Sequence, residues 1–113
     1  MSACYSIELD IEVRDFKQLK EILNSYDIYQ NKKLNLYQKL EYIFAQSKNV
    51  SEVTNNNIFI YSDFNASYGW ENVMLNVFLK ISDALKDNSK LIIYIENDYD
   101  ELYIKNGKVV QAH

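Results

Sequence analysis

Proline and glycine are almost missing from this chain of 113 residues, which contains no proline and only two glycines. The common phosphate-binding loops need several glycines at fixed spacing, and neither G-x-G-x-x-G nor G-x-x-x-x-G-K can be built from Gly69 and Gly107. No apolar run approaches the 18 residues that a membrane-spanning helix needs. We therefore exclude the two common glycine-rich nucleotide sites and expect no membrane association.

Cysteine, histidine and arginine each occur once, as Cys4, His113 and Arg14. A single cysteine allows neither an intrachain disulfide nor a thiolate metal cluster, which favours a reducing compartment. His113 closes the sequence, where chains usually fray, so the pattern does not favour a Ser/His or Cys/His nucleophilic pair. The first residues lack the basic and long apolar regions of a secretory signal. We expect a cytoplasmic protein with no catalytic residue, no metal and no cofactor.

The charge distribution argues against nucleic acid as a direct ligand. The net charge is -4, and the basic residues are scattered along the chain rather than clustered. Such a chain repels a phosphate backbone at long range. With 48% apolar and 25% charged residues, the composition is typical of one globular domain with its own core. Its richness in Asn, Ile, Lys and Tyr, with a single arginine, favours a bacterial or phage source with AT-rich coding.

The first unit of the sequence predicts a strand followed by a helix. Apolar and polar residues alternate without interruption from Tyr5 to Arg14, which predicts one buried face and one face in water. Asp15 then occupies an N-cap position with Gln18 three residues later, as in a capping box. Apolar residues at helical spacing continue to about Ser25. A second amphipathic pattern predicts another helix from about Lys33 to Gln46.

The middle of the chain predicts a loop, a buried strand, a polar loop and a long helix. Residues Ser47 to Asn57 show no periodicity, whereas Ile58 to Tyr61 are β-branched and aromatic. The helical pattern that begins at Trp70 is apolar around most of its circumference, which predicts that this helix is the most buried one. The polar stretch between Tyr61 and Trp70 is predicted to be a loop.

The end of the chain predicts strands in sequence. Leu91 to Ile95 form an unbroken apolar strand, and a turn over residues 96–100 leads to Glu101 to Lys105. Asn106-Gly107 then predicts a type I′ turn, because both central residues of this turn need a positive φ. The predicted order is β-α-α-β-α-β-β-β. This order predicts a single α/β (α+β) domain with a mixed sheet of about five strands, helices packed on it and a C-terminal β-hairpin.

The first six predicted elements have the order found in the barstar family of small ribonuclease inhibitors. Tyr29-Gln30-Asn31 with Leu34 is similar to the Tyr-Gly-Glu-Asn-Leu run of that family. The glycine of the run is missing, and Asn35 and Lys39 stand on the second helix where the family presents inhibitory carboxylates. The resemblance therefore concerns topology, and we transfer no site from it.

Two groups of residues are candidates for function. Ligands collect at the carboxyl ends of strands in open α/β sheets, which makes the predicted loop after the buried strand a candidate ligand site, with Asp63, Asn65, Ser67, Tyr68 and Trp70. The alternative is a purely structural start of the following helix. The second group is an interaction face with the acidic side of the first strand and two tyrosines of later strands: Glu8, Asp10, Glu12, Tyr94 and Tyr103. Here the alternatives are a solvated strand face, or a face buried by the helix from Lys33 to Gln46.

The sequence favours an interaction protein over an enzyme. Ten tyrosines supply large, half-polar side chains of the type that is enriched at binding hot spots. We expect a non-enzymatic, stoichiometric inhibitor or immunity-type protein whose partner is another, basic protein, with a homodimer as the second possibility. The alternative function is a small-ligand binder or a metal-dependent enzyme that uses the loop from Asp63 to Trp70.

Overall fold

The computed structural model describes residues 2–29 and 33–112, and within these ranges the chain forms three α-helices and six strands. The helices are α1 (Phe16–Asn24), α2 (Leu36–Ala45) and α3 (Trp70–Ile81), and a short 3-10 turn over Ser82–Ala84 continues the last one. The strands are β1 (Ser2–Glu12), β2 (Ser51–Thr54), β3 (Asn57–Ser67), β4 (Lys90–Ile95), β5 (Asp98–Lys105) and β6 (Lys108–Gln111).

The strands form one sheet in the order β2-β3-β1-β4-β5-β6, and every neighbouring pair is antiparallel. The predicted α+β class with a C-terminal hairpin is confirmed, but the predicted mixed sheet is wrong. The cause is β2, which was predicted to be loop. It reverses the chain once more after α2, so β3 returns antiparallel to β1. The strands that α3 connects, β3 and β4, do run in the same direction, yet β1 lies between them.

The two faces of this sheet have different surroundings, and we call them the covered face and the open face. Side chains on the covered face pack with all three helices in one core, to which β1 contributes Tyr5, Ile7, Leu9 and Ile11. Directly opposed residues point to the same face, so the pairing registers assign the rest. The open face carries Glu52 and Thr54 of β2, Asn57, Phe59, Tyr61, Asp63, Asn65 and Ser67 of β3, Ser2, Cys4, Ser6, Glu8, Asp10 and Glu12 of β1, Lys90, Ile92 and Tyr94 of β4, Tyr99, Glu101, Tyr103 and Lys105 of β5, and Lys108 and Val110 of β6.

Local caps begin the first two helices. The Asp15 side chain accepts the Gln18 N–H at 3.0 Å, which confirms the predicted N-cap of α1, but the Gln18 side chain accepts from Arg14 at 3.3 Å and does not complete a capping box. A capping box of Asn35 and Gln38 begins α2 three residues later than the predicted Lys33. The prediction that α3 is the most buried helix is wrong, since Leu79 of α3 is exposed, whereas α2 buries half of its ten residues, namely Leu40, Glu41, Ile43, Phe44 and Ala45.

Two-residue turns connect the last three strands. Asn106 and Gly107 have φ values of 54° and 75°, as the predicted type I′ turn requires, and the Asp87 carboxylate accepts both of their N–H groups at 2.8 and 3.0 Å. The turn between β4 and β5 contains only residues 96 and 97 instead of the predicted 96–100. The strand β5 begins earlier than predicted, because Tyr99 already pairs with Tyr94 of β4.

Candidate interaction surface

The open face brings together the residues that were predicted for an interaction face. Glu8, Asp10 and Glu12 project from β1, and Tyr94 and Tyr103 project from β4 and β5 on the same side of the sheet. In the described ranges, the helices pack against the covered face only, so α2 does not bury this surface. The carboxylates lie at the centre of the sheet and the tyrosines lie one and two strands away. Their role in binding stays a prediction.

Three tyrosines of the open face are well exposed. Tyr61 is 61% exposed, Tyr94 is 44% exposed and Tyr99 is 40% exposed. The rings of Tyr94 and Tyr99 pack against each other with their centroids 5.6 Å apart and an angle of 34° between their planes. Tyr61 and Tyr99 were not among the predicted interface residues. Tyr61 is paired with Glu8 across β3 and β1, so the register of these two strands places it on the same face as Glu8.

Ile92 is an apolar centre within the open face. It is only 7% exposed although it lies outside the core formed with the helices. The register places it between Glu8 of β1 and Glu101 of β5, in one row across three strands. Neighbouring strands lie about 4.8 Å apart, so the two carboxylates flank the isoleucine at roughly 10 Å from each other. An apolar contact point is thus bordered by negative charge.

The carboxylates of the open face differ in what they contact. Asp10 accepts the Asn57 side-chain amide at 2.9 Å, and Glu12 forms an ion pair with Lys86 at 3.4 Å, with both side chains about half exposed. Within residues 2–29 and 33–112, the carboxylates of Glu8 and Glu101 make neither a hydrogen bond nor an ion pair. These two charges are therefore available to a cationic group from another molecule.

The predicted loop after residue 61 is part of a strand. Asp63, Asn65 and Ser67 occupy alternate outward positions of β3, while Ser62, Phe64 and Ala66 point to the covered face. The prediction of a loop is wrong because β1 is eleven residues long and pairs with β3 over its whole length, which satisfies the backbone of this polar stretch. Only Tyr68 and Gly69 separate β3 from α3.

The five residues of the predicted ligand loop do not line one cavity. Asp63 and Asn65 border a groove of about 440 Å³ together with Cys4, Gln46 and Lys48. Tyr68 donates its hydroxyl proton to Glu96 at 2.8 Å, and this hydrogen bond and the charge of the carboxylate raise the pKa of Tyr68. Trp70 belongs to the helical layer, where its indole N–H donates to the Ile43 carbonyl at 2.8 Å and its ring packs edge-on against Tyr42 with a centroid distance of 6.3 Å.

The described part of the chain also offers no grouping of three or more His, Cys, Asp or Glu side chains that is suited to a metal ion. Glu8, Asp10 and Glu12 illustrate the reason, because alternate residues of a strand are about 6.8 Å apart and point in the same direction. None of the helices in residues 2–29 and 33–112 has both the length and the apolar composition needed to cross a bilayer.

The element order no longer supports the resemblance to barstar, because β2 stands between α2 and β3. Tyr29 of the similar run is buried and donates its hydroxyl proton to the Leu23 carbonyl at 3.1 Å, while Gln30 and Asn31, like His113, lie outside the described residues. Comparisons of the whole chain with family models, with curated proteins and with solved structures found no match.

Proposed function

We propose that this chain is a non-enzymatic interaction protein that binds a basic protein through the open face of its sheet. The observation that carries the proposal is the combination of exposed tyrosines with two unpaired carboxylates on a face that the described helices leave uncovered. Isolated apolar side chains are normal on protein surfaces, but several exposed aromatic side chains on one uncovered face of a sheet are typical of an interface.

The tyrosines supply the contact area of this surface. Tyrosine has few rotatable bonds and a large ring, so its burial against a partner costs little conformational entropy for the area that is removed from water. Tyr94 and Tyr99 already restrict each other by ring packing, which lowers that cost further. Tyr61 lies on the other side of the acidic strand β1. A partner that covers both sides must therefore also cover the carboxylates.

The carboxylates supply the specificity for a basic partner. Glu8 and Glu101 lack partners among the described residues, and burial of an unpaired carboxylate against a neutral surface is unfavourable. A lysine or arginine of the partner removes that penalty. The negative net charge of the whole chain acts in the same direction, because it accelerates encounter with a basic protein and makes the association rate fall with salt.

The biological role that fits these properties best is that of a small cytoplasmic inhibitor or immunity-type protein of bacterial or phage origin. Its small size, its acidity and the lack of a nucleophile-base pair in the sequence support stoichiometric binding rather than turnover. In this role the open face binds a basic surface of the target and blocks the access of a negatively charged substrate to that surface.

The test is affinity capture from a lysate of the source organism with three immobilised proteins. The wild-type chain should retain a basic protein, and the double variant Tyr94→Ser/Tyr103→Ser should lose it. Leu79→Ser is the matched control, because Leu79 is also an exposed large apolar residue but belongs to α3 on the other side of the molecule. Retention of the same basic protein by the double variant would contradict the proposal.

Two further measurements on the same proteins separate the alternatives. If the tyrosines belong to an interface, the double variant should keep most of its free energy of unfolding in a urea titration. A large loss of stability with unchanged capture would show that the rings serve the fold. Light scattering after size exclusion reports a homodimer, which would be the outcome if the open face binds a second copy of the chain.

A further inference from the structure

A groove of about 450 Å³ lies between α2 and the edge strand β2, on the helical side of the sheet. Its walls include Leu34, Tyr37 and Val53, and its polar groups include Ser47, Asn49 and Ser51. The volume is within the range of sites that hold small molecules or single side chains. This groove is separate from the open face, because the register of β2 with β3 points Ser51 and Val53 to the covered face.

Glu41 of α2 lies in this groove and is unusual in two ways. It is only 4% exposed, and its Oε2 atom accepts three hydrogen bonds, from the Val50 N–H at 2.9 Å, the Ser51 N–H at 3.0 Å and the Ser51 hydroxyl at 2.9 Å. Its second oxygen, Oε1, has no partner among the described residues. Helix α2 thus places a carboxylate at the groove with one oxygen hydrogen-bonded and the other oxygen without a partner among the described residues.

The chemistry of the groove selects among ligand classes. No lysine or arginine is among its lining residues, and the only charged lining group is the carboxylate of Glu41, which repels an anion. Ca²⁺ and Mg²⁺ prefer several oxygen ligands with more than one carboxylate, whereas the groove offers a single one. A guanidinium group binds best to both oxygens of a carboxylate, and Oε2 is already occupied by three donors. A primary ammonium group needs only one oxygen of the carboxylate.

The other groups of the groove suit an ammonium on an aliphatic stem. The Ser51 hydroxyl donates its proton to Glu41, so its lone pairs can accept from an ammonium, and Ser47 and Asn49 supply further acceptors. The amide oxygens of Asn35 and Gln38 are already used in the capping box of α2. Leu34, Tyr37 and Val53 provide apolar surface for methylene groups.

We propose that the groove between α2 and β2 binds a primary alkylammonium group, such as a lysine side chain carries, with its nitrogen at Oε1 of Glu41. A buried carboxylate without a cation is unfavourable, and a bound ammonium supplies the missing positive charge. The site does not depend on the proposed function of the open face, since it uses other residues on the other side of the sheet.

The test is an NMR titration of the ¹⁵N-labelled full chain with Nα-acetyl-lysine methylamide. We expect saturable shifts of the Asn49 and Ser51 amide signals, and no saturable shifts with the norleucine analogue, which has a similar stem without the ammonium. A titration with butylammonium chloride distinguishes a free amine from a lysine side chain as the source of the ammonium group. If butylammonium binds as tightly as the lysine derivative, a free amine suffices; if it binds more weakly, the site recognises lysine within a polypeptide. The proposal is overturned if the norleucine analogue binds equally or if the lysine derivative produces no shifts.

Glu41→Gln is the variant that separates the charge from the fold. Its amide oxygen can accept the three hydrogen bonds now made to Oε2, and its NH₂ group then takes the place of the unused oxygen. Affinity for the lysine derivative should fall at least tenfold, and unchanged affinity would contradict the proposal. If this variant fails to fold, Asn49→Asp decides, because it adds a carboxylate at an exposed position of the groove. It should bind the lysine derivative more tightly, and equal binding would again contradict the proposal.

Discussion

The covered and open faces of the sheet are built from the same strands but have different chemistry. On β1 the covered face presents Tyr5, Ile7, Leu9 and Ile11, all at most 1% exposed, whereas the open face presents Ser6, Glu8, Asp10 and Glu12, which are all partly exposed. The helices make the difference on the covered side, since packing against them excludes water from these four residues of β1. The covered face therefore holds the apolar core of the domain, whereas the open face lies outside the packing with the helices.

Polar groups also differ between the two sides. On the covered face the Tyr5 hydroxyl donates to the Glu71 carboxylate and contacts the Ser67 carbonyl at 3.1 Å, so it keeps its hydrogen bonds when it is buried. Ser62 on the same face is the exception, because its buried hydroxyl has no partner in the described part of the chain. On the open face, unpaired groups such as the Glu8 carboxylate remain in contact with water and cost little.

The largest expected effect concerns one pair of neighbouring residues on β1. Leu9→Ala removes a fully buried side chain from the covered face and should lower the free energy of unfolding by about 2–5 kcal/mol. Glu8→Ala on the open face should change it by no more than about 0.5 kcal/mol. Urea titrations of both variants provide the measurement. Equal losses at the two positions would mean that the two faces do not differ in their contribution to stability.

Alkaline pH should lower the free energy of unfolding, because two tyrosines of the covered side ionise. Burial, with the hydrogen bond and charge of Glu71 in addition, raises the pKa of Tyr5 to about 12. Burial, with a smaller effect of Tyr26, raises the pKa of Tyr29 to about 12 as well. Since both pKa values are higher in the folded state than the ordinary 10.0, their stabilising contribution is fully present below pH 10 and is lost as the pH rises to about 12.

The measurement is the free energy of unfolding by circular dichroism in urea at several values of pH above 9. We expect it to fall between pH 10 and pH 12. Tyr5→Phe removes one of the two titrating groups and should make this fall less steep. An identical slope in the variant would show that ionisation of Tyr5 does not oppose folding.

A smaller effect is expected at the hairpin that extends the sheet beyond β4. Gly107 has a φ of 75° and no atom within 4 Å of the position of an added Cβ, so a substitution there is strained by backbone conformation and not by a clash. Gly107→Val should lower the free energy of unfolding by about 1 kcal/mol or more, because a β-branched residue resists positive φ. An unchanged midpoint in a urea titration would contradict the assignment of a type I′ turn with a positive φ at Gly107.

The smallest effect should have the opposite sign. Ser62→Ala removes a buried hydroxyl that has no partner among the described residues, and the remaining methyl group suits the apolar covered face. The free energy of unfolding should rise, by up to about 1 kcal/mol. Ser6→Ala is the control on the open face, where the hydroxyl donates to Asp63 and its loss should bring no gain. A loss of stability in Ser62→Ala would mean that this hydroxyl is satisfied in solution.

Elements with a strong local signal could be predicted from the sequence. The alternation of β1, the Asp15 cap of α1 and the Asn106-Gly107 turn all depend on residues close to one another in the chain. The same alternation selected Glu8, Asp10 and Glu12 as one surface, and the registers place Tyr94 and Tyr103 on that surface too. The strand β2 had no such signal, because Ser51–Thr54 lacks an apolar pattern and its start is held by hydrogen bonds from Val50 and Ser51 to Glu41 in a helix.

By itself the sequence determined the alternation of β1, the approximate positions of the helices and the Asn106-Gly107 turn, because spacing and φ preferences act over a few residues. Only the tertiary structure decided that residues 62–67 are strand, that every strand pair is antiparallel, and that all three described helices share one face. It also decided that Glu41 is buried beside a groove between α2 and β2. These features depend on contacts between distant parts of the chain, since a polar stretch becomes a strand only when a neighbouring strand satisfies its backbone.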